Sequence, residues 1–94
     1  MRSHPLLAAR ILRTDLETTR FAMATGRVLG SAVVRNRIRR RIREVLRALE
    51  PNIQPGWDVL LIARPALIAA DHETLVTTLR RQLARGGVLG GSNG

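Results

Sequence analysis

The sequence contains no cysteine, no lysine and no tyrosine, and its only aromatic residues are Phe21 and Trp57. Without cysteine the chain cannot form disulfides or the thiolate zinc sites that stabilise many small modules. No apolar run approaches the roughly 20 residues that a membrane-spanning helix needs. Residues 1–5 also lack the basic start and long apolar region of a secretory signal. We therefore expect a cytoplasmic protein that does not span a membrane.

The chain is also short and poor in acidic residues. Its 94 residues fit one small domain and leave no room for an enzyme with separate substrate domains. The chain has seven acidic residues and 16 basic ones, and every basic residue is an arginine, so the formal net charge is +9. Such a chain attracts polyanions, with nucleic acid the leading candidate and an anionic membrane surface the second. Arginine suits this role because its planar guanidinium makes forked contacts with phosphate.

The first half of the chain contains two apolar runs of strand length. Leu6–Leu12 and Arg20–Thr25 are separated by a polar connector, which favours two strands joined as a hairpin. A short helix is the alternative for the first run, because leucine and alanine also favour helices. The glycine-bounded loop 26–30 follows the second run.

A long amphipathic helix is predicted next. Ser31 is a suitable N-cap, because its hydroxyl can accept a free N–H group of the first turn. Six apolar residues fall within roughly 120° of one another at 3.6 residues per turn. These are Val34, Ile38, Ile42, Val45, Leu46 and Leu49. Pro51 then ends the helix.

The remaining sequence predicts one strand, one helix and a tail. The uninterrupted apolar run Val59–Ala63 is typical of a strand in mid-sheet. Asp71 is placed to cap a last helix with Leu75, Val76, Leu79 and Leu83 on its buried face. Five glycines in residues 86–94 indicate a flexible tail after a single domain spanning residues 1–85. The expected fold is α+β, a two-layer sandwich with helices packed on one small sheet.

The long helix carries a concentration of charge. Seven arginines and one glutamate between residues 35 and 47 give this segment a net charge of +6. Arg40 and Arg47 lie nearly opposite the apolar stripe, so the helix has a core face and a cationic face. A solvated helix normally mixes charges to gain i,i+4 pairs, which makes a bound polyanion the better interpretation.

RNA fits this polyanion better than DNA or a membrane does. The apolar stripe is needed by the sheet and is not free to enter a bilayer. A helix-turn-helix reader of DNA needs two adjoining helices, and here a strand follows the first helix. Asn36 supplies a hydrogen-bonding amide among the charges.

Few residues point to chemistry within the protein itself. His4 and His72 are isolated from carboxylate pairs, and neither Thr25 nor Ser31 has a general base beside it in the sequence. We predict no catalytic residue, no metal site and no small-molecule substrate. Asp58 at a strand entrance is interpreted as a turn cap. Phe21 has two possible roles, packing in the core or stacking on a base of a bound nucleic acid.

The run Ala32–Glu44, AVVRNRIRRRIRE, resembles the signature of the bacterial ribonuclease P protein component, whose hallmark is an RNR motif. Three further features fall in the order seen in that family. These are Arg20-Phe21, Gly30, and Gly56-Trp57-Asp58 followed by an apolar strand and Ala63-Arg64-Pro65. The resemblance covers about residues 4 to 85.

The resemblance implies a fold, a partner and a site. It implies a left-handed strand–helix–strand crossover, and a catalytic RNA that removes the 5′ leader of precursor tRNA with Mg²⁺ acting through the RNA. No cofactor is then held by the protein. The RNA-contacting set it implies is Arg35, Asn36, Arg37, Arg39, Arg40, Arg41 and Arg43. Candidates for a leader cleft on the sheet are Phe21, Met23 and Arg27.

The chain also departs from the family pattern. His4-Pro5 aligns with the start of the family's second strand, so we expect a member without the first helix and strand, through either a misassigned start or a truly short chain. Gly26-Arg27-Val28 stands where the family usually has Ser-Lys-Lys, and Ser31 where it often has Lys. The expected function is the RNA-binding subunit of ribonuclease P. The alternative is a general nucleic-acid-binding module with an impaired leader cleft.

Overall fold

The computed structural model describes residues 4–90 and contains three strands and two α-helices. In chain order they are β1 (Leu7–Arg13), β2 (Arg20–Ala24), α1 (Ala32–Leu49), β3 (Trp57–Ala63) and α2 (His72–Arg85). Short 3₁₀ turns occupy Arg27–Leu29, Glu50–Asn52 and Pro65–Ala69. The predicted order of elements and the α+β class are confirmed, and the first apolar run is a strand.

The strands are ordered β1-β3-β2 in the sheet, so the last strand in sequence lies in the middle. β3 runs antiparallel to β1, with Leu7 opposite Ala63. It runs parallel to β2, with Phe21 opposite Val59. The predicted β1–β2 hairpin is therefore wrong, because β3 inserts between the two strands and takes the hydrogen bonds that a hairpin would have used.

The mid-sheet position predicted for β3 is confirmed, and its two faces differ. Val59, Leu61 and Ala63 are buried on the side covered by the helices. Asp58, Leu60 and Ile62 alternate with them and point to the other side, where they are half-buried. We call this second side the open face of the sheet. A central strand is apolar on both faces, which explains why its run is uninterrupted.

Helix α1 begins as its sequence predicts. The Ser31 hydroxyl accepts a hydrogen bond from the Val34 N–H group at 3.4 Å. Gly30, just before this cap, has φ of +115°, a conformation that favours glycine. Five of the six predicted stripe residues are buried and Val34 is half-buried. The Glu50–Asn52 turn, with Pro51 inside it, ends the helix at Leu49.

Helix α2 and the residues after it close the core. Asp71 caps α2 by accepting from the Thr74 N–H group at 2.8 Å. Three of the four residues predicted to be buried on α2 are fully buried and Val76 is half-buried. Gln82 reaches across the sheet edge and donates its Nε2 to the Leu7 carbonyl at 3.0 Å.

The segment expected to be a flexible tail starts as part of the fold. Val88 is fully buried and its N–H group donates to the Leu83 carbonyl at 2.9 Å. Leu89 forms a β-bridge with Ile53. Residues 86–90 therefore pack on the domain, because two apolar side chains among the glycines reach the core. Residues 91–94 of the predicted tail lie outside the described residues.

The architecture is a two-layer sandwich in which α1 connects β2 to its parallel neighbour β3 in a βαβ crossover. The left-handed sense of this crossover stays an implication of the resemblance. Within residues 4–90 no helix combines the length and apolar character needed to cross a bilayer. The sheet thus holds α1 with its stripe buried and its cationic face outward.

Candidate nucleic-acid interface

The outward face of α1 is a row of exposed cations. Arg37, Arg40, Arg43 and Arg47 are all exposed, and Asn36 is exposed among them. We call these five residues the cationic face. In the part of the chain that the structure describes, none of its arginines has a carboxylate within salt-bridge distance. Their mutual repulsion is unrelieved within the protein, which favours a polyanionic partner.

Three further arginines border the apolar stripe and are half-buried: Arg35, Arg39 and Arg41. Arg39 donates to the Asn36 amide oxygen at 3.3 Å, a long bond that leaves both groups available to a ligand. The buried Nε atom of Arg35 has no hydrogen-bond partner. Arg35 and Arg39 therefore place two further, half-buried guanidinium groups close to the cationic face.

Arg41 differs from the other arginines because its guanidinium is bound within the protein. One nitrogen donates to the Leu67 carbonyl at 3.2 Å and the other to the Ala70 carbonyl at 2.6 Å. These carbonyls belong to the turn that leads into α2. The position of Arg41 in the sequence motif does not reveal this role, because the acceptors lie 26 and 29 residues further along the chain.

The open face of the sheet carries a shallow groove of about 700 Å³. Its floor and walls include Leu12, Ala22 and Leu60, and Arg10 and Arg20 line it. Leu12 is 67% exposed, which is unusual for a large apolar side chain. Sequence reasoning missed this surface, although the alternation of Arg10 and Leu12 along β1 was a signal for it.

Asp58 anchors one end of this groove by a two-pronged ion pair. The Arg20 guanidinium donates to its two carboxylate oxygens at 2.8 and 2.7 Å. This bond, together with the charge of Arg20, lowers the pKa of Asp58 below its ordinary value. The interpretation of Asp58 as a turn cap is wrong, because in the parallel register Arg20 lies directly opposite it.

A second groove of about 610 Å³ lies between the edge strand β2 and the C-terminal half of α1. We call it the β2–α1 groove. Its apolar lining is Phe21, Met23, Leu46, Ile53 and Pro55, and its polar lining is Thr18, Thr19, Arg43, Arg47, Glu50 and Gln54.

The three predicted leader-cleft residues do not come together on the open face. Phe21 and Met23 are in register with Val59 and Leu61, so they point to the helix side and line the β2–α1 groove, and Phe21 also contributes to the lining of the groove on the open face. Arg27 is exposed on the turn before α1 and lines neither groove described above. Because side chains alternate between the two faces of a strand, the register of β2 against β3 decides which side of the sheet Phe21 and Met23 occupy.

A small α+β fold with one cationic helix face and one bare sheet face places the chain in the class of small, strongly basic proteins whose surface attracts polyanions. The chain belongs to the ribonuclease P protein family, whose model, described as Ribonuclease P, matches residues 2–86. The resemblance stated from the RNR motif is thereby confirmed.

Curated relatives carry the name ribonuclease P protein component. The one from Roseiflexus castenholzii is 54% identical over 65 residues, which are 68% of this chain and 53% of that protein. The one from Roseiflexus sp. is 47% identical over 76 residues, covering 80% of this chain and 62% of that protein. The chain thus spans between half and two thirds of the length of these relatives.

Solved structures share the fold. The RNase P protein of Thermotoga maritima, in complex with 1-(4-fluorophenyl)-2-thiourea, superposes with a TM-score of 0.80 at 25% identity, covering 88% of this chain and 81% of that one. The Staphylococcus aureus RNase P protein superposes with a TM-score of 0.82 at 22% identity, covering 94% of this chain and 81% of that one. The three-stranded sheet with two helices is therefore an arrangement that this chain shares with solved RNase P proteins.

Proposed function

We propose that this protein is the RNA-binding subunit of ribonuclease P and assists the catalytic RNA in removing the 5′ leader of precursor tRNA in the cytoplasm. The observation that supports this best is the cationic face of α1, which coincides with the RNR motif in a chain of this family. Hydrolysis is assigned to the RNA with its Mg²⁺ ions, and the protein contributes no catalytic residue.

The cationic face would act by neutralising phosphates that approach each other in the folded RNA. Arg37, Arg40 and Arg43 project from successive turns of a helix whose other side is fixed to the sheet, so they are held in a rigid row. Forked guanidinium contacts position an RNA backbone without reading its sequence. Arg35, Asn36 and Arg39 extend this contact set. Arg41 is left out because its donors are bound to carbonyl groups of the protein.

We assign the leader of the precursor to the open face of the sheet. Leu12 and Leu60 offer an apolar floor on which bases can lie, and Arg10 can contact phosphates, whereas Arg20 is paired with Asp58. Among Phe21, Met23 and Arg27, the residues predicted for a leader cleft, Phe21 contributes to the lining of this groove and the other two do not.

The test is cleavage of precursor tRNA by the ribonuclease P RNA at a series of Mg²⁺ concentrations, with and without the protein. Phosphate neutralisation by the protein should lower the Mg²⁺ concentration at which half-maximal cleavage occurs. Arg40→Ala should weaken this effect. Arg80→Ala is the matched control, because Arg80 is exposed on α2 and its loss changes the net charge equally. A protein that leaves the Mg²⁺ dependence unchanged contradicts the proposal.

Binding should also fall steeply with salt. The slope of log affinity against log salt is about −0.7 to −0.9 for each phosphate neutralised. Arg37→Ala and Arg40→Ala should each reduce the slope by about that amount, and a flat response would exclude phosphate contacts. The alternative function, a general nucleic-acid-binding module, predicts that bulk RNA or DNA displaces the protein as well as ribonuclease P RNA does.

A further inference from the structure

The β2–α1 groove lies beside the cationic face, which contributes Arg43 and Arg47 to its lining, and it borders the groove on the open face at Phe21, which lines both. It is formed where the edge strand β2 stands beside the C-terminal half of α1. Its volume of about 610 Å³ is within the roughly 300–1,000 Å³ of small-ligand pockets. The outer edge of β2 pairs with no strand of the described part of the chain, so its backbone N–H and C=O groups face the same region.

The floor of the groove is suited to a flat apolar group. Phe21 and Met23 are half-buried and pack on the core, and Leu46 of α1 closes the floor opposite them. Phe21 is one of two aromatic residues in the whole chain. The ring of the other, Trp57, is already covered by the Arg13 guanidinium at 5.0 Å from its centroid. Phe21 is thus the aromatic ring that a ligand in this groove would meet.

The rim of the groove is charged in a way that selects an anionic ligand. Arg43 and Arg47 are exposed and one helical turn apart, so their guanidinium groups can contact two points of a chain lying along the groove. Glu50 is the one acid in the lining, and it leaves the groove with a net positive charge. An aromatic floor beside two arginines is the combination by which proteins bind unpaired nucleotides.

We propose that the β2–α1 groove binds an unpaired nucleotide segment of RNA, with a base on the Phe21 ring and phosphates at Arg43 and Arg47. This proposal rests on the proposed RNA-binding function and adds a base contact on Phe21 to the phosphate contacts of the cationic face, two of whose arginines, Arg43 and Arg47, line this groove. Thr18, Gln54 and Glu50 supply the hydrogen-bonding groups that a base edge needs.

The test compares two fluorescein-labelled probes by anisotropy: a single-stranded decauridine and a blunt RNA hairpin without unpaired bases in its stem. Phe21→Leu keeps an apolar side chain but removes the aromatic face. It should weaken decauridine binding about 5- to 150-fold, the loss expected for one stacked base, and leave hairpin binding within about twofold. Phe21→Trp should restore decauridine binding, and Met23→Leu is the control for packing in the same floor.

A second measurement needs no variant of the protein. A decamer carrying 5-iodouridine is irradiated on the wild-type chain, and the cross-linked peptide is identified by mass spectrometry. We expect the cross-link at Phe21 and not at Trp57. A cross-link elsewhere, or equal losses for both probes in a folded Phe21→Leu variant, would overturn the proposal.

The remaining outcomes separate the two proposals. If Phe21→Leu affects neither probe while Arg40→Ala weakens hairpin binding, the groove proposal fails and RNA binding stands. If the wild-type protein binds neither probe at moderate salt, both fail. If an acidic peptide such as decaglutamate displaces decauridine more strongly than unlabelled decauridine does, the groove is a protein-binding site and the proposal is overturned.

Discussion

Replacing Arg41 by methionine tests whether this arginine supports the fold rather than the RNA. The change keeps a long side chain but removes both hydrogen bonds to the turn before α2. The Leu67 carbonyl retains the Ala70 N–H group at 3.2 Å, whereas Arg41 is the hydrogen-bond donor that the structure places on the Ala70 carbonyl. After the substitution the Leu67 carbonyl therefore still accepts one hydrogen bond, whereas the Ala70 carbonyl loses the one that Arg41 donates.

The loss of stability expected for Arg41→Met follows from this difference between the two carbonyls. A hydrogen bond to a charged group contributes about 1.5–3 kcal/mol, and the half-buried position of Arg41 leaves water able to replace part of it. We expect Arg41→Met to lower the free energy of unfolding by about 2 kcal/mol, because both bonds are lost but the Leu67 carbonyl keeps the donor it already has, so only the Ala70 carbonyl is left unpaired. For a domain of this size, about 2 kcal/mol corresponds to a fall in Tm of roughly 8–16 °C.

The assay is thermal unfolding followed by circular dichroism, with salt-dependent RNA binding measured on the same samples. Arg40→Met is the matched control, because it removes an exposed arginine from the same helix. It should keep the wild-type Tm or raise it slightly by relieving repulsion, while losing RNA affinity. Arg41→Met should keep the wild-type salt slope below its Tm. A normal Tm with a reduced slope for Arg41→Met would refute the role assigned to this residue.

Three other substitutions test the fold. Ser31→Ala should lower the free energy of unfolding by about 1 kcal/mol in a urea titration, and Ser31→Asp should retain the cap. Leu79→Ala should lower it by about 2–5 kcal/mol, because Leu79 is fully buried in the core.

Asp58→Asn should lower stability at pH 7 but not in acid. The pKa of Asp58 is lowered by Arg20, so the ionised pair stabilises the fold above about pH 4, the unfolded value, and its contribution is lost as the pH falls through the lower folded value. Equal stability of Asp58→Asn and wild type at pH 7 would show that solvent screens the pair completely.

Local elements were predictable because their signals lie within a few residues of each other. The N-cap at Ser31 and the stripe of α1 each depend on spacings of three or four residues, and both are present in the structure. Asp71 and the buried face of α2 were predictable for the same reason. Backbone hydrogen bonding and apolar periodicity decide these features before tertiary contacts do.

Strand pairing was not predictable in the same way, because it depends on residues far apart in sequence. The β1–β2 hairpin failed for this reason, although one clue was present. The uninterrupted apolar run of β3 correctly placed it in mid-sheet, and in a three-stranded sheet a central β3 separates β1 from β2. The same register turned the side chains of Phe21 and Met23 to the helix side of the sheet and brought Arg20 onto Asp58.

The site was predictable as a helix face but not residue by residue. The periodicity of α1 correctly separated exposed Arg40 and Arg47 from the buried stripe. It could not distinguish among the border residues, where Arg39 bonds within the helix and Arg41 bonds to the turn before α2. That distinction depends on carbonyl groups whose positions are set by the packing of α2 against α1.

The central position of β3 has a consequence for how the chain acquires its fold during synthesis. Neither β1 nor β2 has a strand to pair with until residues 57–63 have been made. By then α1 is complete, with all of its positive charge and no sheet to cover its apolar stripe. A nascent chain ending before residue 57 thus presents a cationic amphipathic helix without a core, and the sheet must assemble in one late step of long-range contacts.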